Sequence, residues 1–122
     1  MIEITSFSSG STGNCYRVTD GRTPLLLEAG ITYKEIQKSL TFRVSEVAGC
    51  LVSHEHQDHC KAIKNLMKSG IDCYMSQGTA EALGMKGHRL HIIKAKEQFN
   101  IGSWTVLPFD TRHDAEEPLG FL

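Results

Sequence analysis

The segment HEHQDH at 54–59 places three histidines and two acidic residues within six consecutive positions. The apolar run at 47–53 predicts a short strand before it, and the pattern at 61–70 predicts a helix after it. His54 and His56 are two residues apart, so they project to the same side of an extended loop. Imidazole and carboxylate groups bind ions such as zinc and manganese, which can activate water for hydrolysis. The spacing therefore predicts a metal site rather than a loop of solvated histidines.

The remaining sequence predicts an α/β protein whose 122 residues form a single domain, 1–122. A β-rich start is followed by alternating strands and helices. The predicted strands are 2–7, 15–19, 25–30, 47–53, 71–76, 89–95, 97–102 and 104–109, and 118–122 resembles the start of another. The predicted helices are 32–40, 61–70 and 78–84, with Thr32 as the N-cap of the first.

The net charge, the cysteine spacing and the lengths of the apolar runs limit the expected partners and location of the protein. The 13 basic and 14 acidic side chains give a net charge of −1, which predicts no general attraction to nucleic acid or anionic membranes, although a local patch can still bind either. The four cysteines include no C-x-x-C pair, and neither a leader pattern nor a membrane-length apolar run is present. We therefore expect a cytoplasmic protein with reduced cysteines and no membrane partner.

HEHQDH after CLVS resembles the H-x-H-x-D-H signature of the metallo-β-lactamase superfamily. The segments FSSGSTGNC, LLLEAG and HDAEEPLGF extend this likeness over nearly the whole chain. Together they resemble the YycJ/WalJ-type subgroup, including phage-borne relatives, which is described as metal-dependent nucleases acting on DNA ends. The chain corresponds to the N-terminal half of such a protein.

This resemblance implies an αββα sandwich fold, of which the chain would supply the N-terminal half, a mixed β-sheet with flanking helices. The bridging aspartate and the last histidine of the superfamily would then lie beyond Leu122. A truncated domain of this kind would expose the face meant for the other sheet, so we expect self-association to cover it.

The resemblance also implies the metal ligands, with up to two Zn²⁺ or Mn²⁺ ions in the complete fold. His54, His56 and His113 would hold the first ion, and Asp58 and His59 would contribute to the second. Asp58 would also be the catalytic partner of the nucleophilic water. Three protein ligands and an open position make a workable zinc site, so we expect this chain to hold one ion.

Residue 28 departs from the superfamily pattern. Glu28 stands where aspartate is usual, and that acid normally supports the ligand loop from outside the metal site. In the preceding glycine-rich segment 8–14 a hairpin turn is favoured over a phosphate-binding loop, because no G-K-[ST] ending is present. Ser9, Ser11 and Asn14 there are weaker candidates for substrate contact.

The function predicted by the resemblance is metal-dependent cleavage of DNA. Two alternatives stay open at this point: hydrolysis of a small thioester or lactone, and a metal-binding module without catalytic activity. Lys61, Lys64 and Lys68 lie on one face of the predicted helix, where a solvated surface is favoured over a contact with nucleic acid.

Overall fold

The computed structural model describes residues 2–10, 13–111 and 119–121, and for residues 57 and 58 the backbone alone. Its strands are β1 Glu3–Ser8, β2 Cys15–Thr19, β3 Pro24–Leu27, β4 Gly49–Leu51, β5 Cys73–Met75, β6 Leu90–Ile92, β7 Phe99–Ile101, β8 Trp104–Val106, β9 Pro108–Asp110 and β10 Leu119–Phe121. Its helices are α1 Tyr33–Ser39, α2 Gln57–Cys60, α3 Ile63–Lys68 and α4 Gln77–Leu83. Within the described part of the chain, no helix is long and apolar enough to cross a bilayer.

A six-stranded mixed sheet in the order β1-β2-β3-β4-β5-β6 organises the fold. The first three strands are antiparallel, and β3, β4, β5 and β6 run parallel to one another. Two antiparallel ribbons, β7–β8 and β9–β10, accompany this sheet. The predicted mixed sheet with flanking helices is confirmed, and its parallel strands bring the carboxyl ends of β3 and β4 to one edge.

Both faces of the central strands are buried. Leu26 belongs to the larger hydrophobic cluster, together with Ile36 of α1 and Leu66 of α3. Its neighbour Leu25 belongs to a second cluster, together with Val106 of β8. Successive side chains of a strand point to opposite faces, so the run of leucines in β3 serves two cores. The lack of polar alternation in the sequence follows from this burial.

The predicted helix over 61–70 is confirmed as α3, which is shorter than predicted and is separated by a break from the short helix α2 before it. The break is stabilised by the loop after β3: Ala29 N–H donates to His59 O, and Ala62 N–H donates to Ala29 O, each at 2.8 Å. The prediction of a strand over 25–30 is also too long, since β3 ends at Leu27. Both differences from the predicted bounds involve hydrogen bonds between segments that are distant in sequence.

Thr32 caps α1 as predicted, since its hydroxyl accepts from Glu35 N–H. The predicted strand 104–109 divides into β8 and β9, and β9 pairs with β10, which lies in the segment 118–122. The hairpin prediction for 8–14 is confirmed by the antiparallel pairing of β1 with β2.

Polar contacts join the β2–β3 turn to the β7–β8 turn. Ser103 donates its hydroxyl to Asp20 at 2.5 Å and its N–H to the Thr23 hydroxyl at 3.0 Å. Trp104 donates its indole N–H to the Thr23 carbonyl at 2.8 Å. The Ser103 hydroxyl and the turn amides lower the pKa of Asp20 to about 2. Because the folded-state pKa is depressed, this stabilisation is present above about pH 4 and is lost as the pH falls from there toward the folded-state pKa of about 2.

Gly102 is the residue on which this junction depends. Its φ is +54°, and a Cβ there would lie 2.4 Å from the Thr23 hydroxyl, whereas Gly84, with φ +65°, has open space at the same position. Both alanine substitutions therefore incur the left-handed cost of about 1–2 kcal/mol, and only Gly102→Ala adds a clash. We expect Gly102→Ala to lower the free energy of unfolding by about 1–3 kcal/mol more than Gly84→Ala. Urea unfolding of the two variants measures this, and equal losses would contradict it.

Candidate metal centre

The three histidines of the 54–59 segment lie together at the carboxyl edge of β3 and β4. The ring centroids of His54 and His56 are 4.8 Å apart, and those of His54 and His59 are 4.0 Å apart. His54 is 4% exposed, and the other two rings are partly buried. His59 joins the group because the short helix α2 turns the chain back toward the strand end. The predicted clustering of these three side chains is therefore observed.

The loop that follows β3 is held beside the histidine group by backbone hydrogen bonds. Its three consecutive N–H groups donate to three different segments: Glu28 to Leu51, Ala29 to His59 and Gly30 to Asn14, each at 2.8 Å. Glu28 has φ +65°, in the left-handed region that ordinary residues occupy at a cost of about 1–2 kcal/mol. A strained conformation kept at a strand end beside a ligand-type cluster is a feature of functional sites.

The carboxylate of Glu28 connects the strand end to the histidine loop. It accepts from Ser53 N–H at 2.7 Å, from the Ser53 hydroxyl at 2.5 Å, and from His59 Nδ1. Glu28 is 8% exposed, so these bonds replace water around a buried charge. The predicted supporting position of this acid agrees with the geometry.

These bonds assign the tautomers of two histidines. The single hydroxyl proton of Ser53 goes to the carboxylate, so the Ser53 oxygen accepts from Nδ1 of His54, 2.7 Å away. His59 likewise donates its Nδ1 proton to Glu28. When these rings are neutral, Nε2 therefore carries the lone pair, which is the form that a metal ion requires. One carboxylate thus prepares His59 directly and His54 through Ser53.

The donor set fits a divalent cation. Ligand-type atoms of Glu28, His54 and His59 lie within 4.8 Å of one another. The imidazoles of His54 and His59 are donors of the kind that Zn²⁺ and Mn²⁺ bind. The Glu28 oxygens already accept hydrogen bonds from Ser53 and His59. We therefore assign Glu28 a role in orienting the histidines rather than in binding the metal ion.

Cys60 contacts the backbone of the histidine loop. Its buried thiol sulfur lies 3.1 Å from the carbonyl oxygens of both Glu55 and His56. All four cysteines are buried and unbridged. Burial and the nearby Glu28 charge raise the pKa of Cys15 to about 12, so this thiol stays protonated at neutral pH. All four cysteines are core residues, and the expectation of reduced cysteines agrees with the absence of a bridge between them.

Two predicted ligands are not located by the structure. His113 and the Asp58 side chain lie outside the described residues, as does Ser11, and their roles stay predictions. Where the chain is described again, Leu119 N–H donates to Ser53 O at 2.9 Å. The candidate Asn14 is close to the centre, with Nδ2 3.4 Å from Nε2 of His59.

Comparison with known sequences gives the family. The sequence profile described as "Beta-lactamase superfamily domain" matches residues 25–122. The chain is 30% identical over 130 residues to exodeoxyribonuclease YycJ of Bacillus anthracis, covering 97% of this chain and 48% of that protein. It is 27% identical over 122 residues to exodeoxyribonuclease WalJ of Streptococcus pneumoniae serotype 2, covering 91% and 45%. The chain spans about half the length of the curated relatives it matches.

Solved structures agree with this result. The metallo-β-lactamase fold protein YhfI from Bacillus subtilis superimposes with a TM-score of 0.79 at 14% identity, covering 99% of this chain and 57% of that chain. The Rm3 metallo-β-lactamase gives 0.77 at 21% identity, covering 97% and 52%. The fold is therefore the metallo-β-lactamase fold, of which the chain covers about half. The chain belongs to the β-lactamase superfamily.

The tautomer assignment predicts the effect of removing the Ser53 hydroxyl. In Ser53→Ala, His54 Nδ1 loses its acceptor, so we expect the wild-type Nδ1–H tautomer to give way to a mixture. Loss of a partner of a buried carboxylate should lower the free energy of unfolding by about 1–3 kcal/mol. Histidine ¹⁵N chemical shifts report the tautomer, and Ser53→Thr, which keeps the hydroxyl, is the control. An Nε2–H tautomer of His54 in the wild-type protein would contradict the assignment.

Proposed function

We propose that the protein is a metal-dependent hydrolase of nuclease type that cleaves phosphodiester bonds of DNA. The observation that carries the proposal is the group of three histidines, two of which are oriented by Glu28 and Ser53. Membership in the superfamily and the likeness to two exodeoxyribonucleases support the choice of reaction and substrate. In this proposal, Zn²⁺ or Mn²⁺ is the cofactor.

The proposal gives each residue a role. His54 and His56, with His113, hold one ion, and His59 with Asp58 contributes to another. When bound, such ions activate water and polarise phosphoryl oxygens. Asp58 positions the attacking water and accepts its proton.

The protein's own framework prepares this chemistry before any ion binds. Glu28 and Ser53 fix the orientation of two rings, which saves reorganisation when an ion and substrate arrive. His54 is nearly excluded from solvent, so electrostatic interactions at the centre are strong. A single domain over 1–122, self-association through uncovered apolar surface and cytoplasmic location stay predictions from the sequence.

Cleavage of end-labelled DNA in the presence of Mn²⁺ or Zn²⁺ tests the proposal. We expect His56→Gln and Asp58→Asn to lower the cleavage rate more than about 100-fold. Loss of a residue that only orients a metal ligand costs up to about 100-fold, and residues that bind the ions themselves should cost more. His91→Gln is the matched control, since His91 lies in β6 and pairs with Asp72 at 3.3 Å.

The same assay separates the alternatives. Cleavage that persists in both variants, or is absent from the wild-type protein with either metal, would overturn the nuclease proposal. Metal binding without turnover of DNA or of a thioester or lactone substrate would identify a non-catalytic module.

A further inference from the structure

A cavity of about 350 Å³ opens between the C-terminal half of α3 and the segment 84–89 that leads into β6. The cationic side chains around it are Lys64, Lys68, Lys86 and Arg89, and its apolar walls include Met67 and Met85. A cationic rim over an apolar floor suits a ligand that carries both anionic and apolar parts.

The positive charge at this cavity is largely unneutralised. Lys64, Lys68 and Lys86 are exposed, and no ion pair joins them to an acid in the described part of the chain. Arg89 is the exception, with Nη1 3.1 Å from Asp72. Because the whole chain has a net charge of −1, this concentration of cations is a local feature and not a result of basic composition.

The helix α3, which lines one side of the cavity, follows the histidine loop closely in sequence. Lys61 follows HEHQDH after one residue and lies in the break before α3. Lys64 and Lys68 are four residues apart in α3, so they share one face of that helix. Along the helix axis Lys64 and Lys68 are about 6 Å apart, at a rise of 1.5 Å per residue. Because α3 leaves the carboxyl edge of β4 and leads to the amino end of β5, the lysines run from the candidate metal centre toward the opposite end of the strands.

We propose that Lys61, Lys64, Lys68, Lys86 and Arg89 form a cationic track that binds the backbone of the DNA strand processed at the histidine cluster. This inference rests on the proposed function. A single phosphate would engage one end of the track, whereas a strand with a phosphate every 3.4 Å or so offers successive phosphates to successive cations. Sugars and bases would pack on Met67 and Met85.

Salt dependence gives the inference a quantitative form. Each phosphate neutralised by a cation contributes a slope of about −0.7 to the logarithm of the single-strand binding constant against the logarithm of salt concentration. Removing three lysines of the track should therefore reduce the slope by about 2.

The test compares two variants of equal charge. Lys64→Gln/Lys68→Gln/Lys86→Gln alters the track, and Lys34→Gln/Lys38→Gln/Arg43→Gln removes the same charge from exposed positions on and after α1. Binding of a fluorescent, cleavage-resistant phosphorothioate oligodeoxythymidylate is followed by anisotropy over a range of salt concentrations with Mn²⁺ present. We expect the track variant to bind at least about 10-fold more weakly near 50 mM salt with the reduced slope, and the control to change far less.

Equal weakening in both variants, or an unchanged slope in the track variant, would overturn the inference. Displacement of the oligonucleotide by inorganic phosphate or thymidine monophosphate at equal phosphate concentration would also overturn it, because the cavity would then be a site for a small anion. Lysine-dependent binding without any cleavage by the wild-type protein would leave the track standing while the proposed nuclease function fails. Cleavage by a protein whose DNA binding does not depend on these lysines would overturn the track and leave the proposed nuclease function standing.

Discussion

The carboxylate of Glu28 is the interaction on which the candidate centre depends. It is nearly buried, and it collects two bonds from Ser53 and one from His59. A buried charge without these donors would be unstable, so the acid and the histidine loop require each other. The left-handed backbone at Glu28 is tolerated because the N–H groups of residues 28–30 are bonded to three different segments. The strand end, the loop and α2 therefore form one unit.

The rest of the fold positions that unit. Parallel β3 and β4 end at the same edge, and burial on both faces, with Leu25 and Leu26 in different cores, keeps β3 in register. The hairpin of β1 and β2 brings Asn14 close to His59 at the same edge. At the other end of the strands, α3 and the loop before β6 assemble the cationic cavity. Opposite ends of one sheet thus carry the two surfaces that the proposed reaction needs.

The sequence predicted those features that local patterns determine. The leucine run, the Thr32 cap and the spacing of His54 and His56 all followed from periodicity or side-chain chemistry. The break between α2 and α3 did not, because it depends on hydrogen bonds to Ala29 across the fold. The role of Ser53 was also missed, since a serine before a histidine has no local signature. Only the position of Glu28 in the fold shows where the hydroxyl proton of Ser53 goes.

Cobalt binding shows whether Glu28 prepares the histidines for a metal ion, because the visible absorption of Co²⁺ reports ligation by imidazole and gives an affinity. The comparison is between the wild-type chain and Glu28→Gln, with circular dichroism used to show that both are folded. If Glu28 prepares the histidines, the wild-type chain binds Co²⁺ and Glu28→Gln binds it about 10–100-fold more weakly. Equal affinity in the two proteins, or no binding by the wild-type chain, would contradict the account.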